Sequence, residues 1–433
     1  MAAKRLASEL GAFLGEEPPV LPSRELTLAG AIGVSRQWEQ QRLRLLYALA
    51  QGRVPVLVAS LDALLLRTLP RQTLFSASVT LRVGAEYSMP ELIERLTRAG
   101  YSRASLVEGV GQFALRGGIL DVYSPAQEKP LRAEFFGDEL DTMGYFDPIT
   151  QRRTENVDEA VLLPVAETEP HLHPQGISGL CEDLRAIIAR QQRRKTPNQA
   201  LIETLQKDCE ALENETLFAS ADRYMALIYP EFTTAASYLP QEAIVAFCDH
   251  GNLQRGEKDR AEEFGLLLDS FLASGTLFGE LCDYYATMDD LAASLRGRAV
   301  IYCDSFLAAR YPESLPPKQL LSFTARQLPG YGGSLETAAA DLKNYASNQY
   351  GSIVLCGGQR RGEILKELLA KSGLNALLSF PLTKLPQPGQ ILIAGGSLPA
   401  GLEYPTLKFA ILTEGQIAVR QERKKTRAPK KAL

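Results

Sequence analysis

The sequence predicts a multidomain α/β protein. A parallel α/β domain is interrupted by an inserted α+β domain with an antiparallel sheet, and a small α/β domain follows. Three observations predict this. The chain has 433 residues, and a domain typically holds roughly 150, so about three are expected. Towards both ends, short apolar runs alternate with amphipathic helical stretches, the pattern of βα units. Between them, residues 111–147 (GQFALRGGILDVYSPAQEKPLRAEFFGDELDTMGYFD) lack helical spacing and break into short alternating runs separated by Gly, Pro and Asp, as in an antiparallel meander.

The elements follow in order. Residues 4–14 and 36–51 carry helical apolar spacing; Ser35 is the expected N-cap of the second helix, and Trp38, Leu45, Leu46 and Leu49 its buried stripe. The run at 54–59 (VPVLVA) suits a buried strand, and 62–68 a short helix. Ser88-Met-Pro-Glu91 has the spacing of a capping box, starting a helix that Gly100 ends. The meander follows, and 160–164 closes its domain. Residues 178–227 are rich in helix formers. A turn and strand are expected at 238–248, a long helix at 252–274 and a buried strand at 299–303. From Gly332 onward, helices at 334–347 and 360–371 alternate with strands at 352–356, 376–380, 391–394 and 407–412, implying a small parallel sheet. The expected domains are therefore 1–83, the first half of the interrupted domain; 84–165, the insertion; 166–325, the second half; 326–419, the third domain; and 420–433, a basic linker.

Composition narrows the function classes. Hydrophobic residues make up 45% and charged residues 23% of the chain, ordinary values for a globular protein. No apolar run approaches the roughly 20 residues of a membrane span, so no membrane association is expected, and the first residues lack the apolar core of a signal peptide. Cys181, Cys209, Cys248, Cys282, Cys303 and Cys356 show no C-x-x-C spacing. They read as buried small hydrophobes of a cytoplasmic protein, with neither zinc nor disulfides. His171, His173 and His250 are too scattered to suggest a metal, and the first two fall in a Pro-rich stretch where solvated side chains are expected. The tail from Arg420 carries a net +6, leaving −10 on the rest. An acidic body argues against a DNA-wrapping surface over most of the chain, while the basic tail has two readings, a contact with nucleic acid or a solvated charged linker, the commoner case.

No catalytic machinery is legible. A P-loop needs G-x-x-x-x-G-K-[ST] between a strand and a helix. The nearest stretch, Gly357-Gly-Gln-Arg-Arg-Gly362, continues with Glu363 and Ile364. It lacks the lysine that would meet phosphates, and Glu363 would repel them; a helix N-terminus there retains at most the capacity to hold a simple anion. Asp249, after the strand ending at Cys248, has the location of a metal-holding carboxylate but no P-loop partner, so capping or a turn is expected of it. No cofactor, metal or enzymatic activity is therefore expected of this chain.

The meander holds the candidate site. Side chains alternate faces along a strand, so Leu131, Ala133 and Phe135 share the natural core face while Arg132, Glu134 and Phe136 share the other. Alternation leaves two readings of Phe136 open. It packs beneath a loop or a neighbouring domain, or it projects as an anchor of the kind found at protein-binding hot spots, where aromatics and arginine are enriched.

The same residues carry a resemblance. Phe113-x-x-Arg116-Gly117-x-x-x-Asp121, Arg132-x-Glu134-Phe135-Phe136-x-Asp138-Glu139 and Phe146-Asp147 resemble the second domain of the excision-repair protein UvrB. They resemble still more the equivalent domain of the bacterial transcription-repair coupling factors. Segments on either side, including Tyr238-Leu-Pro and the Ile411-Leu-Thr-Glu-Gly ending, extend the resemblance to the coupling factors over nearly the whole chain. It implies a UvrB-like, helicase-like first domain that has lost ATP hydrolysis, with the insertion as the docking site for UvrA. The docking positions it implies are Arg116, Arg132 and Phe136, with Glu134 between them on the same face. It also implies contact with RNA polymerase and damaged DNA, and ATP and magnesium chemistry, only through motor domains of a longer parent. A monomer is expected. The family's opening strand, loop and helix have no counterpart at the start of this sequence, so the chain is expected to be a fragment or truncated. The competing reading is a piece of a UvrB-type DNA translocase or helicase that itself binds DNA, against which the missing P-loop argues.

Overall fold

The structure is a computed structural model describing residues 2–29, 36–214, 218, 220–305, 310–331 and 334–417. The basic tail and Ser35 lie outside the described residues. Two compact units form, one of Met1–Val20 with Gln319–Leu433 and one of Leu21–Lys318. Both are mixed α/β.

In the smaller unit the strands at Ala376–Ser379, Ile391–Gly395, Gly351–Cys356 and Phe409–Thr413 lie side by side and parallel, as the alternating pattern implies. The strands at Leu402–Tyr404 and Arg326–Gln327 extend this sheet antiparallel at one edge. At two or three residues each, they are too short to leave a period in the sequence. Val354, Ile393 and Leu412 bury one face under the helices Leu335–Ser347 and Gln359–Lys371. The anion site that a helix N-terminus could offer at Gly357–Gly362 is taken by the chain itself. Glu414 accepts from the Gly357 N–H at 3.2 Å and lies 3.6 Å from Arg361.

In the larger unit, one core draws on residues on both sides of the meander, from Leu21 to Leu74 and from Leu163 to Leu281. Helices Gln37–Ala50, Gly176–Gln192 and Gln199–Glu213 supply much of it. The stripe of the first helix is rotated from the expected one. Trp38 is exposed, whereas Arg42 is completely buried beside Leu43, Leu46 and Leu49. The reason is electrostatic. Arg42 meets Glu167 at 3.1 Å, and Glu167 also lies 3.4 Å from Arg24, which pairs in turn with Asp222 at 2.9 Å. This buried network holds together segments far apart in sequence, and a buried charge is tolerated only when paired.

Several local expectations need correction. The strand expected at 54–59 shrinks to Val58–Ala59. The helix expected at 62–68 is Leu61–Leu65, because Leu66 and Arg67 are drawn into bridges with Tyr285 and Thr234. Ser88 is the N-cap of helix Met89–Arg98 but makes no side-chain cap; the capping box among these helices is Thr287 with Asp290. Asp249, by contrast, stands where capping was expected, as the N-cap of helix His250–Ala273 in a left-handed conformation, although its carboxylate accepts from the Asn252 amide rather than from the helix backbone. His173 is buried rather than solvated, 3.3 Å from Asp183, and His171 is half-buried, 2.8 Å from its sequence neighbour Glu169. The strand Ala299–Cys303, expected to be buried, is only partly covered on one face, by Val300 and Tyr302, and exposed on the other, and Cys248 and Cys303 are exposed rather than buried.

Residues 79–165 build a separate core. Strands Val79–Arg82 and Glu159–Leu162 pair antiparallel where the segment enters and leaves. Beyond them lies a six-stranded sheet in sequential order: β1 (Ser102–Arg103), β2 (Gln112–Arg116), β3 (Ile119–Val122), β4 (Leu131–Phe136), β5 (Glu139–Phe146) and β6 (Arg153–Asn156). It is antiparallel apart from the β1–β2 pair. Leu92 and Leu96 of helix Met89–Arg98 join a core with Leu120, Val122, Leu131, Ala133, Leu140 and Met143. The other sheet face carries the candidate site.

Candidate functional site

Register assembles this face from four strands. Arg116 opposes Ile119, Ile119 opposes Glu134, and Asp121 opposes Arg132. Glu134 opposes Thr142, and Phe136 opposes Glu139. Opposed residues share a face, so Arg116, Ile119, Glu134 and Phe136 gather at the end of the sheet where two hairpins turn. Each turn opens on a glycine with positive φ, Gly117 at 60° and Gly137 at 65°, which a side chain would strain. Gly118 allows the first turn to close on β4, because a Cβ there would lie 2.6 Å from the Phe135 carbonyl oxygen. A bulge between Glu134 and Phe135 skips Asp141 on β5, so β4 keeps its alternation to the end.

The consequence for Phe136 is clear. Leu131 and Ala133 are fully buried and Phe135 packs against the same core, while Phe136 is 84% exposed. Among the described residues it is covered by neither a loop nor a neighbouring element, so the packed reading fails and the ring projects into solvent.

The arginines differ from each other. Asp121 is completely buried and receives both. Arg116 donates to it from Nη2 at 2.6 Å, with its side chain still 49% exposed. Arg132 donates from Nε at 2.7 Å and from Nη2 at 2.9 Å, a bidentate pair. It also donates to the backbone carbonyl and side-chain oxygen of Gln151, both at 3.2 Å, and its guanidinium sits 4.5 Å over the Phe146 ring. The hydrogen bond to Asp121 holds its pKa above the ordinary arginine value. Arg132 thus braces the sheet face, and Arg116 presents charge to solvent. Glu134 is half exposed and meets Arg153 at 3.3 Å. Gly144 makes room for that contact, since a Cβ there would lie 2.5 Å from Arg153 Nε.

Three residues at or beside this face carry no role in the sequence reading. Asp121 sits between Leu120 and Val122, and the polar residue among apolar neighbours is the signal that could have marked it. Arg153 reaches the face only through the cross-strand step over Gly144, which leaves no local trace. Ile149 is 90% exposed at the tip of the β5–β6 loop. That loop is shaped by Asp147, which accepts from the N–H groups of Ile149 and Thr150 at 3.0 and 2.7 Å, and it is tied to the face by Gln151.

The arrangement offers an apolar anchor, an arginine and a carboxylate–arginine pair on a braced surface. Among the described residues no group of His, Cys, Asp and Glu could hold a metal, and no helix is long and apolar enough to cross a membrane.

Comparison with known proteins adds an independent view. Residues 79–167 match the family of the UvrB interaction domain. Over 435 residues, 99% of the chain, the sequence is 24% identical to the transcription-repair-coupling factor of Bacillus subtilis strain 168. Over 437 residues, 98% of the chain, it is 26% identical to the transcription-repair-coupling factors of Staphylococcus aureus strains USA300 and NCTC 8325. The chain spans 36% of the length of these relatives. Residues 79–167 thus match the UvrB interaction domain family, within a chain that is similar along nearly its whole length to part of the transcription-repair-coupling factors.

Proposed function

We propose that this chain is a recruitment module of transcription-coupled nucleotide excision repair, and that UvrA docks on the face formed by β2 to β5. The observation carrying this reading is an 84%-exposed Phe136 on a braced strand of a UvrB interaction domain. Phe136 fills a pocket on the partner. Arg116 supplies charge-assisted hydrogen bonds to a partner carboxylate, and Glu134 accepts from a partner donor. Arg132 holds Asp121, and through it Arg116, in place. In the same reading the interrupted first domain is UvrB-like, the chain hydrolyses no ATP, and engagement of RNA polymerase and damaged DNA belongs to a protein of the relatives' full length. The absence of a P-loop and the occupation of the Gly357–Gly362 turn by Glu414 support the non-hydrolytic part.

The test is titration of the purified chain onto immobilised UvrA, with Arg116, Arg132 and Phe136 changed singly to Ala. Binding should weaken in each case, most for Phe136→Ala. Undiminished binding by all three variants overturns the assignment.

A further inference from the structure

We propose that Cys248 and Cys303 form a reversible, peroxide-oxidisable dithiol. These two are the exposed members of the six cysteines; Cys181, Cys209 and Cys356 are buried, and Cys282 is partly covered. They are also neighbours. Strands Ile244–Cys248 and Ala299–Cys303 pair in parallel, and the register sets Cys248 directly beside Cys303 as the last residue of each strand. Successive side chains alternate, so Cys248 and Cys303 leave the sheet on the same side as Ile244 and Ile301, whose exposures of 69% and 50% mark that face as open to solvent. Adjacent strands run about 4.8 Å apart, within the roughly 4.4–6.8 Å between Cα atoms that a disulfide spans. Both positions end their strands, where a small side-chain adjustment leaves the ladder intact.

The chemistry needs an oxidant, and a hydroperoxide suffices. One cysteine, as thiolate, attacks the peroxide; the O–O bond breaks, a sulfenic acid forms and the leaving oxygen departs as water or an alcohol. The second thiolate then attacks the sulfenyl sulfur, the S–S bond forms and the hydroxyl leaves as water. Two thiols lose two electrons and two protons, and the peroxide is reduced. A dithiol reductant reverses the change. Partial desolvation against the sheet, together with the neighbouring Cys303 and Asp304, pushes the Cys248 thiol above its ordinary pKa, so oxidation should quicken as pH rises. Once formed, the bond fixes the two strands side by side.

The experiment treats the full chain with a small excess of hydrogen peroxide, blocks remaining thiols by alkylation and maps the digest by mass spectrometry. The expected product is a monomer about 2 Da lighter before alkylation, from the loss of two hydrogens, with the Cys248 and Cys303 peptides linked in the digest and the change restored by dithiothreitol. Cys248→Ser and Cys303→Ser should each abolish that product, leaving the remaining cysteine as a sulfur oxyacid or an intermolecular dimer. Unlinked sulfinic acids on both wild-type cysteines, alkylation of both after peroxide, or a cross-link persisting in either variant would overturn the proposal. Comparing the two variants keeps the result readable if one fails to fold.

Discussion

Replacing Phe136 by Ala should separate docking from folding. A phenylalanine offers roughly 150–250 Å² of surface for burial. At 84% exposure in the free chain, nearly all of that surface remains to be covered by a partner, roughly 130–210 Å². At about 25 cal/mol per Å² this corresponds to an upper figure of about 3–5 kcal/mol. Alanine keeps part of the contact, so a loss of about 2–4 kcal/mol is expected, or roughly 30- to 1,000-fold in Kd. Folding should change by no more than about 0.5 kcal/mol, because the ring touches little in the free chain. The assay pairs calorimetric titration against UvrA with a urea melt of each protein. A Kd within threefold of wild type, with an unchanged melt, would refute the anchor role. A lowered melt would instead refute the claim that the ring is dispensable for folding.

Further predictions concern the braces around this face and the buried network. Asp121→Asn leaves Arg132 without its carboxylate, and should cost about 1–3 kcal/mol of stability by urea melt, discounted because Arg116 is half exposed; it should weaken UvrA binding as well, and an unchanged melt would show that the two arginines do not depend on Asp121. Glu167→Gln should destabilise the larger unit more strongly, by about 3–5 kcal/mol, since it strips a fully buried charge from both Arg24 and Arg42; a loss under about 1 kcal/mol by urea melt would refute this. Burial pushes the Asp222 carboxyl up, but Arg24, Thr168 and the Thr27 N–H overcome it and hold the pKa at about 2. A depressed carboxylate stabilises the fold above its unfolded pKa of about 3.9, and that contribution drains away as pH falls towards about 2, about 2–3 kcal/mol in all. Glu39 is raised by burial and works in the opposite sense, so the clean comparison is with Asp222→Asn. Melts at pH 5 and pH 2.5 should show a smaller acid loss in the variant, and equal losses would refute the assignment to Asp222. Ile149→Ser should leave the melt unchanged; a two- to tenfold weaker UvrA complex would extend the docking face to the β5–β6 loop, and no change would confine it to the hairpin end.

What the sequence determined by itself is what depends on local period. Alternation in Leu131–Phe136 assigned the core face of β4 and put Phe136 opposite it, because a strand offers only two faces and three consecutive odd positions are apolar. The helices and parallel strands beyond Gly332 were legible for the same reason. Long-range charge was not. Arg42 is buried and Trp38 exposed because the helix phase answers to Glu167, more than a hundred residues away. Ala299–Cys303 looks like a fully buried strand, yet one of its faces is open, since apolar composition cannot say whether a second layer arrives to cover it. The site divides along the same line. Arg116, Arg132, Glu134 and Phe136 could be named from pattern and resemblance. Which arginine braces and which faces outward was decided by one buried carboxylate, Asp121, that the hairpin register carries to Arg132 and leaves within reach of Arg116.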